Sequence, residues 1–127
     1  MPTRPTTTLL PPRFACLALG LVLGACRAPA AHDVEVRLTT QPAPPRVGPT
    51  RLDLTLGVPA TAVSVEGNMT HAGMAPVRAQ ATPAGTGRYV VDAFDFTMAG
   101  DWVVTVTART GDGRTLTTDV PLRVAAP

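Results

Sequence analysis

From Asp33 onward the chain alternates apolar and polar residues with a period of two, the spacing of a strand with one buried face. Val34, Val36 and Leu38 point one way from a first strand, which Pro42, Pro44, Pro45 and Pro49 convert into an extended connection. Leu52, Leu54 and Leu56 alternate with Arg51, Asp53 and Thr55 in the cleanest strand of the chain. Val63 and Val65 predict a short third strand, and Val77, Ala79 and Ala81 a weaker fourth. A fifth runs from Tyr89 and Val91 toward Phe94 or Phe96, and a sixth carries Trp102, Val104 and Val106. A seventh carries Leu116, Val120, Leu122 and Val124, joined to the sixth by the hairpin signal Gly111-Asp112-Gly113. No window places apolar residues at i, i+3, i+4 and i+7. Seven short strands in about 95 residues predict an all-β domain, a seven-stranded immunoglobulin-like β-sandwich, with Trp102 anchoring its core.

Composition supports the same reading. Residues 33–127 hold 14 Val and 15 Thr against two Glu, two Gln and no Lys. Val and Thr favour the pleated surface of a strand, and the best helix formers are nearly absent.

Residues 1–32 differ. Arg4 and Arg13 precede the uncharged twelve-residue run Phe14–Ala25. Twelve helical residues rise about 18 Å, short of the roughly 30 Å of a bilayer's hydrocarbon core. A positive start, a short apolar run and small residues at its end predict a cleaved secretory signal peptide over 1–25. Leu23-Gly24-Ala25-Cys26 resembles the lipobox of bacterial lipoproteins. That resemblance implies cleavage before Cys26, acylation of its thiol, and a tether over 26–32. It also implies a lipid-anchored place in the cell envelope, on the periplasmic or extracellular face. Arg27 after the Cys implies the outer membrane in a Gram-negative cell. Cleavage discards Cys16, so the mature chain has no disulfide and rests on packing alone.

The formal charge of the whole chain is +2. Removal of 1–25 takes two Arg with it and leaves nine Arg against nine acids. A neutral chain without an Arg-rich run predicts no nucleic-acid partner. Enzyme chemistry also finds no footing. Ser64 stands between two Val without a Gly-x-Ser-x-Gly elbow, and one domain His cannot build a His-rich zinc set.

The chemistry-bearing segment is Glu66–Pro76, expected as the connection between the third and fourth strands. It holds Met69, His71 and Met74, with a bend allowed at Gly73, and Met98 lies in another turn. His71 is the single His of residues 33–127. Thioether sulfur is a soft donor that suits Cu(I), and neutral imidazole also binds copper. Met69, His71, Met74 and Met98 are therefore candidate metal ligands, with Cu(I) favoured. The competing reading makes the Met residues core filler beside Tyr89 and Trp102, in an envelope interaction or assembly module that binds no metal.

Met69-Thr70-His71-Ala72-Gly73-Met74, then Gly87-Arg88-Tyr89, then Met98-Ala99-Gly100-Asp101-Trp102, resembles the YtkA-like domain, which is related to FixH-like proteins. The resemblance covers about residues 33–124. It implies a small exported or membrane-tethered β-sandwich similar in fold to CopC-type copper carriers, with copper-handling or oxidase-assembly proteins as partners. Family members carry a second His or an adjacent His-Met pair, whereas this loop has one His. That departure argues against a Cu(II) site, because Cu(II) prefers several nitrogen and oxygen donors.

Overall fold

In a computed structural model, residues 34–71 and 73–127 are described. The expected signal peptide, Cys26 and the tether lie outside them. Seven strands form: β1 (Val36–Gln41), β2 (Gly48–Leu56), β3 (Ala62–Met69), β4 (Val77–Pro83), β5 (Arg88–Phe96), β6 (Gly100–Arg109) and β7 (Thr115–Val124). All the strand pairings are antiparallel, in the order β1-β2-β5-β4-β3-β6-β7.

The order folds into two layers because β4 changes partner along its length. Val77–Ala81 pair with β3, and Thr82–Pro83 pair with β5. One layer is thus β1, β2 and β5, and the other is β3, β6 and β7. This is the immunoglobulin-like arrangement expected from the strand pattern. The outer edges, β1 and β7, are tied together at both ends. The Thr118 hydroxyl donates to the Val34 carbonyl at 2.5 Å. Val47 N–H donates to Ala125 O at 3.1 Å, and Ala125 N–H to Pro45 O at 2.9 Å. The sandwich is therefore nearly a closed barrel.

The alternation sends its apolar members inward. Leu52, Leu54, Leu56, Val63, Val65, Trp102, Val104 and Val106 are all buried. Phe96 packs edge-to-face on both Phe94 and Trp102, with ring centroids 5.1 and 5.2 Å apart. Such geometry suits the ring quadrupoles and adds to the burial of large apolar area.

Two features depart from the simple alternation. Leu52 pairs with Val91 but Thr50 pairs with Phe94, so Asp92 and Ala93 together oppose Arg51. This β-bulge shifts the phase of β5 by one residue. Tyr89 and Val91 before it, and Phe94 and Phe96 after it, consequently all face the core. β3 also runs four residues beyond Val65, so Glu66–Met69 belong to a strand and not to a connection. Gly67 reads as a breaker in sequence, yet it is demanded by packing. A Cβ there would stand 2.8 Å from Phe94 Cζ and 3.3 Å from Trp102 Cε3.

The strand directions give the sandwich two poles. At the base lie Val34, where the described chain enters, and the turns Gly57–Thr61, Ala84–Gly87 and Thr110–Arg114. At the tip lie Pro42–Val47, Thr70–Pro76, Thr97–Ala99 and the exit after Val124. Base and tip are joined by strands as long as the ten residues of β6.

Candidate functional site at the tip

Met69 is the last residue of β3 and pairs with Trp102 of β6. The backbone beyond it is held to β6 by Thr70 N–H donating to Asp101 O at 3.2 Å. Met69 is buried, and its Cε lies 3.1 Å from where a Cβ on Gly100 would stand. Gly100 has φ +132°, so any side chain there would be strained as well as crowded. The turn between β5 and β6 thus covers the Met69 thioether.

The three other candidates are exposed at the same pole. His71 follows Met69 by two residues and opens to solvent. Gly73, with φ +89°, makes the bend that the sequence anticipates, and Met74 emerges just after it, 37% exposed. Met98 sits across the tip in the β5–β6 turn, 48% exposed. Its carbonyl accepts a 2.9 Å hydrogen bond from Trp102 Nε1, so the turn backbone is pinned while the thioether stays free. All four candidates gather at one pole, but Met69 is set apart beneath the surface.

The root of the β3–β4 loop is fixed by charge. Asn68 Nδ2 donates to Glu66 Oε1 at 3.0 Å, and Arg78 Nε to Glu66 Oε2 at 2.7 Å. These bonds, that of Asn68 first, hold the Glu66 carboxyl below its ordinary range. The sequence offered no sign of this bracket, since Glu66 and Arg78 are distant in the chain and meet only through the β3–β4 register. Gly67 and Gly100 were missed for a related reason, because their roles are set by rings and a thioether arriving from other strands.

The donor set is soft. Among the described residues, no group of three or more His, Cys, Asp or Glu is placed to hold a metal. Two exposed thioethers and one imidazole are donors of the kind that suit Cu(I). The outer face of β3, β4 and β6 holds a shallow concavity of about 420 Å³ between Ser64, Glu66, Arg78, Gln80 and Thr107. It is open and lacks soft donors.

A small two-layer β domain with a Met/His pole is the class this geometry defines. Residues 29–107 match the YtkA-like family, and the chain belongs to it. The fold is similar to the crystal structure of CopC from Methylosinus trichosporium OB3b, with TM-score 0.51 and 18% identity. That match covers 72% of this chain and 95% of the other. An engineered protein matches at TM-score 0.49 and 24% identity, over 77% of this chain and 21% of that one. No curated protein matches the sequence.

Proposed function

We propose that this chain is an extracytoplasmic, membrane-tethered copper-handling domain whose tip holds Cu(I) through His71, Met74 and Met98, with Met69 beneath. The observation that carries this reading is where the soft side chains stand. Met74 and Met98 are the large hydrophobic residues left exposed among those described, and both flank the pole that bears His71. Exposed Met is costly as packing, yet it is the form in which a thioether can take a metal. Likeness in fold to CopC supports the reading. The mechanism is ligand exchange: each thioether is displaced in turn by a donor of the acceptor, and Cu(I) passes on without a redox change. The domain works as a carrier and not as an enzyme. Membership of the YtkA-like family and the lipobox-like Leu23-Gly24-Ala25-Cys26 support a tethered place in the envelope.

Anaerobic Cu(I) titration of the purified protein, followed by native mass spectrometry, tests this reading. A 1:1 adduct is expected, and the combined His71→Ala, Met74→Ser and Met98→Ser variant should lose it. Absence of an adduct, or an adduct untouched by those changes, favours the second reading. In that reading the tip is a protein-docking surface in an envelope assembly, and burial of Met69 shows one Met already acting as core.

A further inference from the structure

The sulfur atoms of the described residues are unequally placed. Those residues hold no cysteine, and their sulfur belongs to Met69, Met74 and Met98. Met74 and Met98 are 37% and 48% exposed, whereas Met69 is only 8% exposed. The Met69 methyl lies against the turn at Gly100, and its place on β3 is fixed by pairing with Trp102. The oxidisable rings of Trp102 and Tyr89 are shielded as well, since both are buried. An oxidant arriving from water therefore meets two thioethers first, and both stand at the tip.

Oxidation of a thioether has opposite consequences at the two depths. At Met74 or Met98 the new sulfoxide oxygen is hydrated at once, so the fold loses nothing. The bond from Trp102 Nε1 goes to the backbone carbonyl of Met98, so the turn stays pinned whatever happens at the sulfur. At Met69 the same change would put a polar oxygen into the core cluster. As a ligand, a sulfoxide is transformed. Its sulfur has spent a lone pair on oxygen, and the group now offers a hard donor where Cu(I) wants a soft one.

We propose that Met74 and Met98 form a paired modification site. Peroxide converts both to sulfoxides, which switches off Cu(I) holding at the tip and leaves the fold intact. The switch rests on the copper-handling function proposed above. In each event the sulfur lone pair attacks one oxygen of hydrogen peroxide. An S–O bond forms, the O–O bond breaks, and sulfur gives up two electrons. The proton on the transferred oxygen passes to the departing hydroxide, which leaves as water. Methionine sulfoxide reductases, one for each sulfoxide epimer, reverse the step: the oxygen leaves as water while a dithiol becomes a disulfide.

Hydrogen peroxide treatment of the purified, metal-free protein, followed in time by peptide mass mapping, tests the site. Met74 and Met98 should each gain one oxygen several-fold faster than Met69, and Met69 should match them only in urea. Equal rates in the folded protein overturn the site. The oxidised protein should keep its thermal midpoint and lose the 1:1 Cu(I) adduct. A midpoint that drops sharply, or an adduct that survives with both residues oxidised, overturns the switch. Reductases of both epimer specificities, supplied with dithiothreitol, should restore the adduct. An adduct still missing once both oxygens are gone also overturns the switch. Ag(I), a soft cation of the same charge, should slow oxidation of Met74 and Met98 when bound. Unslowed oxidation of both removes these sulfurs as ligands. Absence of an adduct before any oxidation overturns the copper function, whereas the oxidation rates are measured without metal and decide the site separately.

Discussion

The β6–β7 hairpin at the base and the turns that carry His71, Met74 and Met98 at the tip use their polar and sulfur-bearing groups in opposite ways. At the base, the β6–β7 hairpin satisfies itself. Thr110 N–H donates to Arg114 O at 2.9 Å, Gly113 N–H to Thr110 O at 3.0 Å, and Arg114 N–H to the Thr110 hydroxyl at 3.2 Å. Arg114 Nε reaches Asp112 at 2.7 Å, and the Thr110 hydroxyl also bonds to Asp112. At the tip, the backbone is pinned by Trp102 Nε1 and by the pairing of Thr70 with Asp101, but the side chains of His71, Met74 and Met98 open to solvent. A turn that spends its side chains on itself serves only its own closure. A turn braced from below leaves its side chains available for chemistry.

The contrast breaks most severely if the bracing is removed. Trp102→Ala should destabilise by about 3–5 kcal/mol, because a fully buried ring leaves a cavity and the Met98 carbonyl loses its donor. Urea denaturation measures it, and the tip loops should be digested by protease first. At the base, Thr110→Ala should cost about 1–3 kcal/mol by the same measurement, since the hydroxyl is buried and holds both strand ends. At the tip, Met74→Ser and Met98→Ser should each shift stability by no more than about 0.5 kcal/mol while abolishing the Cu(I) adduct. Met69→Leu keeps the buried volume and should cost less than about 1.5 kcal/mol. If it leaves the adduct intact, Met69 is support and not ligand.

The smallest effect is electrostatic. The Thr110 hydroxyl first, and Arg114 second, hold the Asp112 carboxyl below its ordinary range. A carboxylate lowered on folding stabilises the fold above its unfolded pKa, and that stabilisation is lost as pH falls through the folded value. Asp112→Asn should therefore be destabilising near neutral pH and converge on the parent as pH falls below the ordinary carboxylate range, followed by thermal melts. The tip should show no matching convergence when Met98 is replaced.

Most strands were legible because a two-residue period is written directly in residues such as Leu52, Leu54 and Leu56. The end of β3 was not, since Gly67 is a breaker by propensity and a necessity only once Phe94 and Trp102 lie over it. The alternative of Phe94 or Phe96 was resolved by a bulge that a single-strand pattern cannot show, as it exists only against Arg51 of β2. The candidate donors were legible by type. Their division into buried Met69 and exposed Met74 and Met98 was not, because one methionine is as apolar as another until tertiary packing selects it. The separation of base from tip likewise follows from how strands pair, which no local window contains.

The bridge between Arg46 and Ala125 carries the last residues of the chain out beside the tip. A purification tag of six histidines joined at Pro127 would hang next to Met98 and His71. It would bring in imidazole nitrogens where the described residues of the tip supply one, and create a site that captures Cu(II) or nickel. Any metal assay on such material would report the tag. A tag removed by protease, or one placed at the base after a cleavable leader, leaves the domain's own donors to answer.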